Sequence, residues 1–255
     1  MKTIALYCFV LMMLSFSFNT YAQETVKDST SKRYKNIVRY NLTGALLFGF
    51  NKYVVLGYER MLSSNTSISL NAGSAALPRF LSIETDSFQT RRESDRTGFN
   101  ASIDYRFYLQ KENKFNAPHG LYIGPYYSYN RFEDDQEWFH RNNSRNSDVL
   151  SNSTFEINTF GVELGYQLIL WRRFTLDMVM VGPGLGFYKY KANLSGNIGL
   201  SADAKEQLLQ ALMQRITQRF PGMNYVFSDK TFDADGVIKT SDIGYRYIIH
   251  LGFCF

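Results

Sequence analysis

Cysteine is almost missing from this 255-residue chain, which has only Cys8 and Cys254. Cys8 lies in an apolar N-terminal run that reads as a removable leader, with no small residue just before it, so it does not read as a lipoprotein attachment site. The mature chain then keeps one thiol. An intrachain disulfide, a cysteine-based zinc site and an iron–sulfur cluster are excluded on that ground. Lysine and arginine never form a run long enough for a nucleic-acid stripe, so the net charge of +5 reads as scattered surface charge and no nucleic-acid partner is expected. Proline is scarce at 5 residues, and beyond the leader no stretch is apolar for the roughly 20 residues that a membrane helix needs.

Aromatic residues, in contrast, make up 16% of the chain, with 18 Tyr and 21 Phe, which favour strands and membrane–water interfaces. The leader combines Lys2, an apolar stretch from Ile4 to Phe18, and the small residues of Thr20-Tyr21-Ala22 before Gln23. Residues 1–22 therefore read as a cleaved signal peptide, 23–36 as an N-terminal periplasmic segment and 37–255 as one domain.

Within that domain, segments of about ten residues alternate apolar and polar, the period of strands with one face in lipid and the other in a lumen. The first sets Val38, Tyr40, Leu42 and Leu46 against Arg39, Asn41 and Thr43. The second sets Val54, Leu56 and Tyr58 against Gly57 and Glu59, and the third Ile68, Leu70 and Ala72 against Ser69, Asn71 and Gly73. In the fourth, Phe99 to Phe107 alternate with Asn100, Ser102, Asp104, Arg106 and Tyr108. The fifth, from about Leu121 to Asn130, carries Pro125, which has no ladder donor and predicts a bulge. The sixth runs from Thr159 to Leu168 with Glu163 on its polar face, and the seventh from Phe174 past Asp177 and Gly182-Pro183-Gly184 towards Tyr190. The eighth puts Ile243, Tyr245, Tyr247, Ile249, Leu251, Phe253 and Phe255 outward, and Gly244, Arg246, His250, Gly252 and Cys254 inward.

Links after the second, fourth and sixth strands are short, whereas those after the third, fifth and seventh are long and polar. Short periplasmic turns and long outside loops give an up-and-down antiparallel barrel with both ends in the periplasm. The first outside link, near 48–52, is short. The last predicts a helix over 203–219, where Leu208, Leu209, Leu212, Met213 and Ile216 recur at helical spacing before Pro221-Gly222. That helix reads as a stripe packed on the rim, or more sharply as one that docks a partner or a membrane surface.

The ending Leu251, Phe253, Phe255, with Tyr247 in the same file, resembles the terminal-strand signal by which assembly machinery recognises outer-membrane barrels. Eight strands with alternating link lengths resemble the small OmpA/OmpX-type barrels of Gram-negative outer membranes, without a following peptidoglycan-binding domain. The runs Pro118 to Tyr127 and Gly161 to Gln167 are similar to an uncharacterised outer-membrane family of unknown function. That resemblance implies an architecture and neither a reaction nor catalytic residues.

The inward file holds Arg39, Glu59, Asp104, Arg106, Glu163, Asp177 and Arg246, which must pair, bind water or bind an ion. A salt-bridged plug in a narrow lumen is the expectation; a polar solute path or a small-ligand pocket is the alternative. His250 with Glu163 or Asp177 is the inward histidine pairing that an enzyme would need, yet no Gly-x-Ser-x-Gly elbow accompanies it, so catalysis and cofactors are not expected. Asp233-Ala234-Asp235-Gly236 weakly resembles a calcium loop, but Thr231 and Asp242 stand where Asp and Glu are wanted, and it reads as a turn. Arg91, Arg92 and Arg96, and Trp138 beside Glu133-Asp134-Asp135, are expected in outside loops that could meet lipopolysaccharide, a ligand or a protein. The whole reads as a monomeric scaffold or interaction barrel in contact with outer-membrane lipids, with a narrow porin and a lipid-modifying enzyme as the other classes.

Overall fold

The computed structural model describes residues 34–76, 88–113, 115–140, 148–196, 206, 209–210, 213–214, 223–227 and 236–255. The leader lies outside them. Eight antiparallel strands, each bonded to the next, close into a ring: β1 (Asn36–Asn41), β2 (Tyr53–Met61), β3 (Thr66–Ala75), β4 (Phe88–Tyr108), β5 (Gly120–His140), β6 (Asp148–Leu170), β7 (Phe174–Gly196) and β8 (Val237–Cys254). Closure rests on the β1–β8 register, in which Ile37 faces Cys254 and Asn41 faces His250. One end carries the turns after β2, β4 and β6; the other, the loop end, carries the remaining links.

The wall is uneven. β3 pairs with β4 only as far as Ser74 opposite Phe99, and β1 covers β8 only from His250 to Cys254, so β4 to β8 continue towards the loop end past β1 to β3. This corrects the reading of a long link after the fifth strand: β5 and β6 occupy most of it and leave only residues 141–147 between them. Arg91, Arg92 and Arg96 accordingly sit on β4, and Glu133 to Trp138 on β5, rather than in loops.

A second correction concerns the first strand, which stops at Asn41. Residues 42–48 form a helix, α1 (Leu42–Phe48), so Leu42, Thr43 and Leu46 do not continue the β alternation. Asn41 caps it, its side chain accepting from Gly44 N at 3.0 Å, and Gly49 ends it at φ 99° with its N–H on the Ala45 carbonyl at 2.8 Å. Gly44 lets the helix lie against the Tyr53 ring, where a Cβ would come within 2.1 Å. Thr43 Oγ1 accepts from Ile249 N at 2.8 Å, which satisfies β8 one residue beyond the end of its pairing with β1.

The bulge also lies elsewhere than expected. Pro125 pairs with Val162 in an unbroken β5–β6 register, and the β4–β5 register is the same on either side of it. Register shifts fall instead in β4, between Thr90 and Arg92 and between Glu93 and Arg96, and in β7 between Val179 and Gly182. Val179 points inward, Met180 and Val181 both point outward, and Gly182 points inward again, so the inward file changes parity there.

The lumen is the core, in three layers. Met61, Tyr108, Ala117 and Tyr122 close the turn end. The charged residues fill the middle. At the loop end an apolar cluster joins Tyr53, Val55, Phe132, Phe155, Tyr188, Tyr190 and Ile238 from the wall to Leu209, Val226 and Phe227 from the last link. Of the helix expected over 203–219, Glu206, Leu209, Gln210, Met213 and Gln214 are described and helical; α2 (Met223–Val226) follows. Leu209 and Met213 pack into this cluster on the inner side of the wall.

Outward, the wall carries an apolar belt. On β6 it runs from Phe160 to Leu170 and on β8 from Ile243 to Phe253. About ten steps of about 3.3 Å on strands tilted about 40° rise about 25 Å, the height of the apolar band of outer-membrane barrels. Towards the loop end the same face turns polar, with Asn152, Glu156 and Asn158 on β6, Arg131 and Glu133 on β5, and Lys189 on β7. There Lys189 pairs with Glu156 at 3.4 Å and Arg131 with Glu133 at 2.6 Å.

The β6–β7 turn departs from usual turn chemistry. Arg173 N donates to the Leu170 carbonyl at 3.2 Å, and the two central residues, Trp171 and Arg172, both have positive φ, 46° and 72°. Primed hairpin turns of this kind favour Asn-Gly, and a side chain held left-handed costs roughly 1 to 2 kcal/mol per residue.

Candidate functional site

The middle of the lumen gathers charged residues from six strands and neutral partners from the other two, because every inward position of a narrow closed barrel faces the same axis. Arg39 on β1 donates from Nη1 to Asp177 Oδ2 at 2.8 Å and to Glu59 Oε2 at 3.5 Å, from Nη2 to Asp104 Oδ2 at 3.3 Å and to Ser69, and from Nε to Asn71 Oδ1 at 3.1 Å. Arg106 on β4 reaches Asp177 Oδ2 at 3.0 Å, Glu59 Oε2 at 3.3 Å and Gln167 Oε1 at 3.3 Å, with Glu163 Oε1 at 3.5 Å from its Nε. Arg246 on β8 binds Asp104 and lies 3.4 Å from Glu163 Oε2. All seven charged residues of the inward file are buried and joined in this one network.

Neutral donors complete the carboxylates. Ser67 and Tyr108 donate to Glu59 Oε1 at 2.6 and 2.8 Å, Tyr122 donates to Asp177 Oδ1 at 2.7 Å, and Asn71 donates to Asp104 Oδ2 at 3.1 Å. His250 Nδ1 stands 3.1 Å from Asp177 Oδ2; of the two pairings weighed for it, the geometry has Asp177. Glu163 is held differently: both of its oxygens lack a hydrogen-bond partner among the described residues, and Oε1 lies 3.5 Å from Arg106 Nε and Oε2 3.4 Å from Arg246 Nη1. Each ion buried so deeply must be matched by opposite charge and by hydrogen bonds, or burial would expel it.

Space for these long side chains comes from glycine. Arg39 is flanked across the ladder by Gly57 on β2 and Gly252 on β8, and a Cβ on Gly57 would fall 2.9 Å from Arg39 Cγ. On β5 and β6 the pairs Tyr122 with Gly165 and Tyr126 with Gly161 lay each ring across a glycine, and a Cβ on Gly165 would fall 2.3 Å from the Tyr122 ring. The guanidinium of Arg106 stacks on Tyr122 at 4.3 Å and that of Arg246 on Tyr126 at 4.7 Å. Sequence reasoning missed Tyr122 and Tyr126 as site residues, and it placed Tyr108 and Gln167 on the polar faces of their strands without giving them a part in the network. The signal for the first two was the four-residue spacing of tyrosines on β5 opposite the glycines of β6.

The remaining candidates stand apart from this network. Tyr247, Leu251, Phe253 and Phe255 are exposed on the outer side at or beside β8. Asp233, Ala234 and Asp235 lie outside the described residues. Among the described residues no three of His, Cys, Asp and Glu converge as a metal ion would require. Cys254 is a buried free thiol. No nucleophile stands at His250 Nε2, which has no hydrogen-bond partner among the described residues.

No protein-family model matches the chain, and no curated protein matches its sequence. The likeness of two runs to an uncharacterised outer-membrane family therefore gains no further support. Among solved structures, a major outer membrane protein from Thermus thermophilus is similar over 88% of this chain and 100% of that one, at 9% identity and a TM-score of 0.35. A likeness so weak carries no argument, and the barrel rests on its own strand pairing.

Proposed function

We propose that the chain is an outer-membrane barrel exported by its leader, with a structural or interactive role: a scaffold with a closed lumen that holds its tall β4–β8 wall and last link outside the membrane. The observation that carries this reading is a filled lumen inside an apolar sleeve. The belt offers a surface for outer-membrane lipids, the Leu251, Phe253, Phe255 file one for assembly machinery, and the loop end one for a protein partner. No catalysis is included. His250 and Asp177 are buried together, and among the described residues His250 Nε2 meets no hydrogen-bond partner.

In planar bilayers the purified barrel is expected to show no steady conductance, because three arginines cross-brace the lumen and the Phe155 cluster closes it above. Stable ion-selective channels whose selectivity changes on replacing Arg106 or Glu163 would overturn the closed-lumen reading in favour of narrow transport. The sleeve has its own test. Ile103→Arg and Leu164→Arg, near mid-belt, are each expected to lower stability in bilayers by about 2 to 4 kcal/mol, whereas Asn100→Arg, on the inner side, should cost less. Urea unfolding in vesicles reads the order, and a reversed order would mean that the two faces are exchanged.

A further inference from the structure

We propose that the β6–β7 turn, Trp171-Arg172-Arg173, binds the headgroup of an anionic phospholipid in the leaflet met by the barrel's turn end; this rests on the membrane reading above.

The first argument is the backbone. Trp171 and Arg172 occupy two left-handed positions that Asn-Gly would fill without strain, so neither side chain is there for the sake of the turn. Nor does packing hold the indole: Trp171 is 85% exposed and meets Phe174 edge-on, with ring centroids 6.2 Å apart. Water is a poor medium for an exposed indole, whereas a membrane–water interface suits it, with its apolar body among acyl chains and its N–H among headgroups.

The second argument is position and charge. Trp171, Phe174 and Phe253 form an edge-to-face row at the foot of the apolar belt, with the Arg173 guanidinium 5.7 Å from the Phe253 ring. This sets both arginines at the level where phosphates lie. Among the described residues neither Arg172 nor Arg173 is in an ion pair, although both are exposed. The charged side chains described at this end are mostly cationic, Lys35, Arg60, Lys111, Arg172 and Arg173 against Glu112. A planar guanidinium takes a phosphate through two parallel hydrogen bonds, and two adjacent ones can share the net charge of an anionic headgroup. An acidic protein would answer the arginines, but not an indole continuous with the bilayer-facing belt.

The test uses the mature chain with Trp138→Phe, so that Trp171 is the sole tryptophan, in vesicles of equal phosphatidylglycerol and phosphatidylcholine with one lipid brominated at a time. Quenching of Trp171 is expected to be stronger with brominated phosphatidylglycerol, with an apparent preference of about fivefold per arginine. Arg172→Gln with Arg173→Gln should abolish the preference and leave heat-modifiable migration unchanged; the corresponding lysine pair should keep it in part. Trp171→Asn with Arg172→Gly, a favourable turn, should fold at least as well and retain less phosphatidylglycerol by native mass spectrometry. Equal quenching by the two lipids, quenching by neither, or full lipid retention by the Asn-Gly variant would overturn the inference and leave the membrane reading standing. A chain that folds but does not insert would overturn both.

Discussion

Replacing Arg106 by alanine is expected to destabilise the barrel by about 3 to 5 kcal/mol, the cost of stranding buried charge. Its guanidinium is fully buried and touches Asp177, Glu59, Gln167 and Tyr122, with Glu163 alongside. Removing it leaves four buried carboxylates facing Arg39 and Arg246 alone. Arg106→Lys keeps the charge but not the fork or the stack on Tyr122, so its loss should be intermediate. Unfolding of the two variants in detergent micelles measures this. Pairing Arg106→Ala with Asp177→Asn should cost less than the sum of the single changes, because the second change removes the charge that the first one strands. A loss below about 1 kcal/mol for Arg106→Ala would mean that water reaches the site and screens it.

Phe155→Ala is expected to cost a similar amount, about 3 to 5 kcal/mol, for a different reason. Phe155 is the hub of the loop-end layer. Its ring lies 6.4 Å from Phe132, 6.5 Å from Tyr188, 6.2 Å from Tyr190 and 5.9 Å from Phe227 of the last link. The phenyl group is 2% exposed, so its loss opens a cavity between wall and link rather than a surface dent. Protease sensitivity of the β7–β8 link should rise together with the fall in unfolding midpoint. Phe160→Ala on the same strand faces outward and is the control; it should leave the link protected. Equal protection of the link in both variants would show that Phe155 does not hold it.

Much of the barrel could be read from alternation. In β2, β3, β4, β6 and β8 each second side chain had to point inward, so Glu59, Asn71, Asp104, Arg106, Glu163 and His250 were on the lumen side before any coordinates. The same rule failed at Leu42 to Phe48. Seven residues with Leu42, Ala45 and Leu46 fit either period, and it is the caps, Asn41 and Gly49, that select the helix. Alternation also missed the length of β4 to β7, because above the belt their outward face becomes polar, as in Asn152, Glu156 and Asn158, and resembles a loop.

Alternation along the chain therefore sufficed for the number of strands, for their inward and outward faces away from the register shifts of β4 and β7, and for the need to neutralise seven inward charges. These follow from local periodicity and from the cost of burying an ion. The partners of those charges came from the folded barrel. Arg39 meets Asp177 138 residues away, because closure of β1 on β8 brings β7 within reach of it. The structure likewise decided the bulge at Met180 and Val181, the glycines that admit Arg39, Tyr122 and Tyr126, and the left-handed Trp171 and Arg172. Each depends on what the neighbouring strand places alongside, and no window of a single strand contains that information.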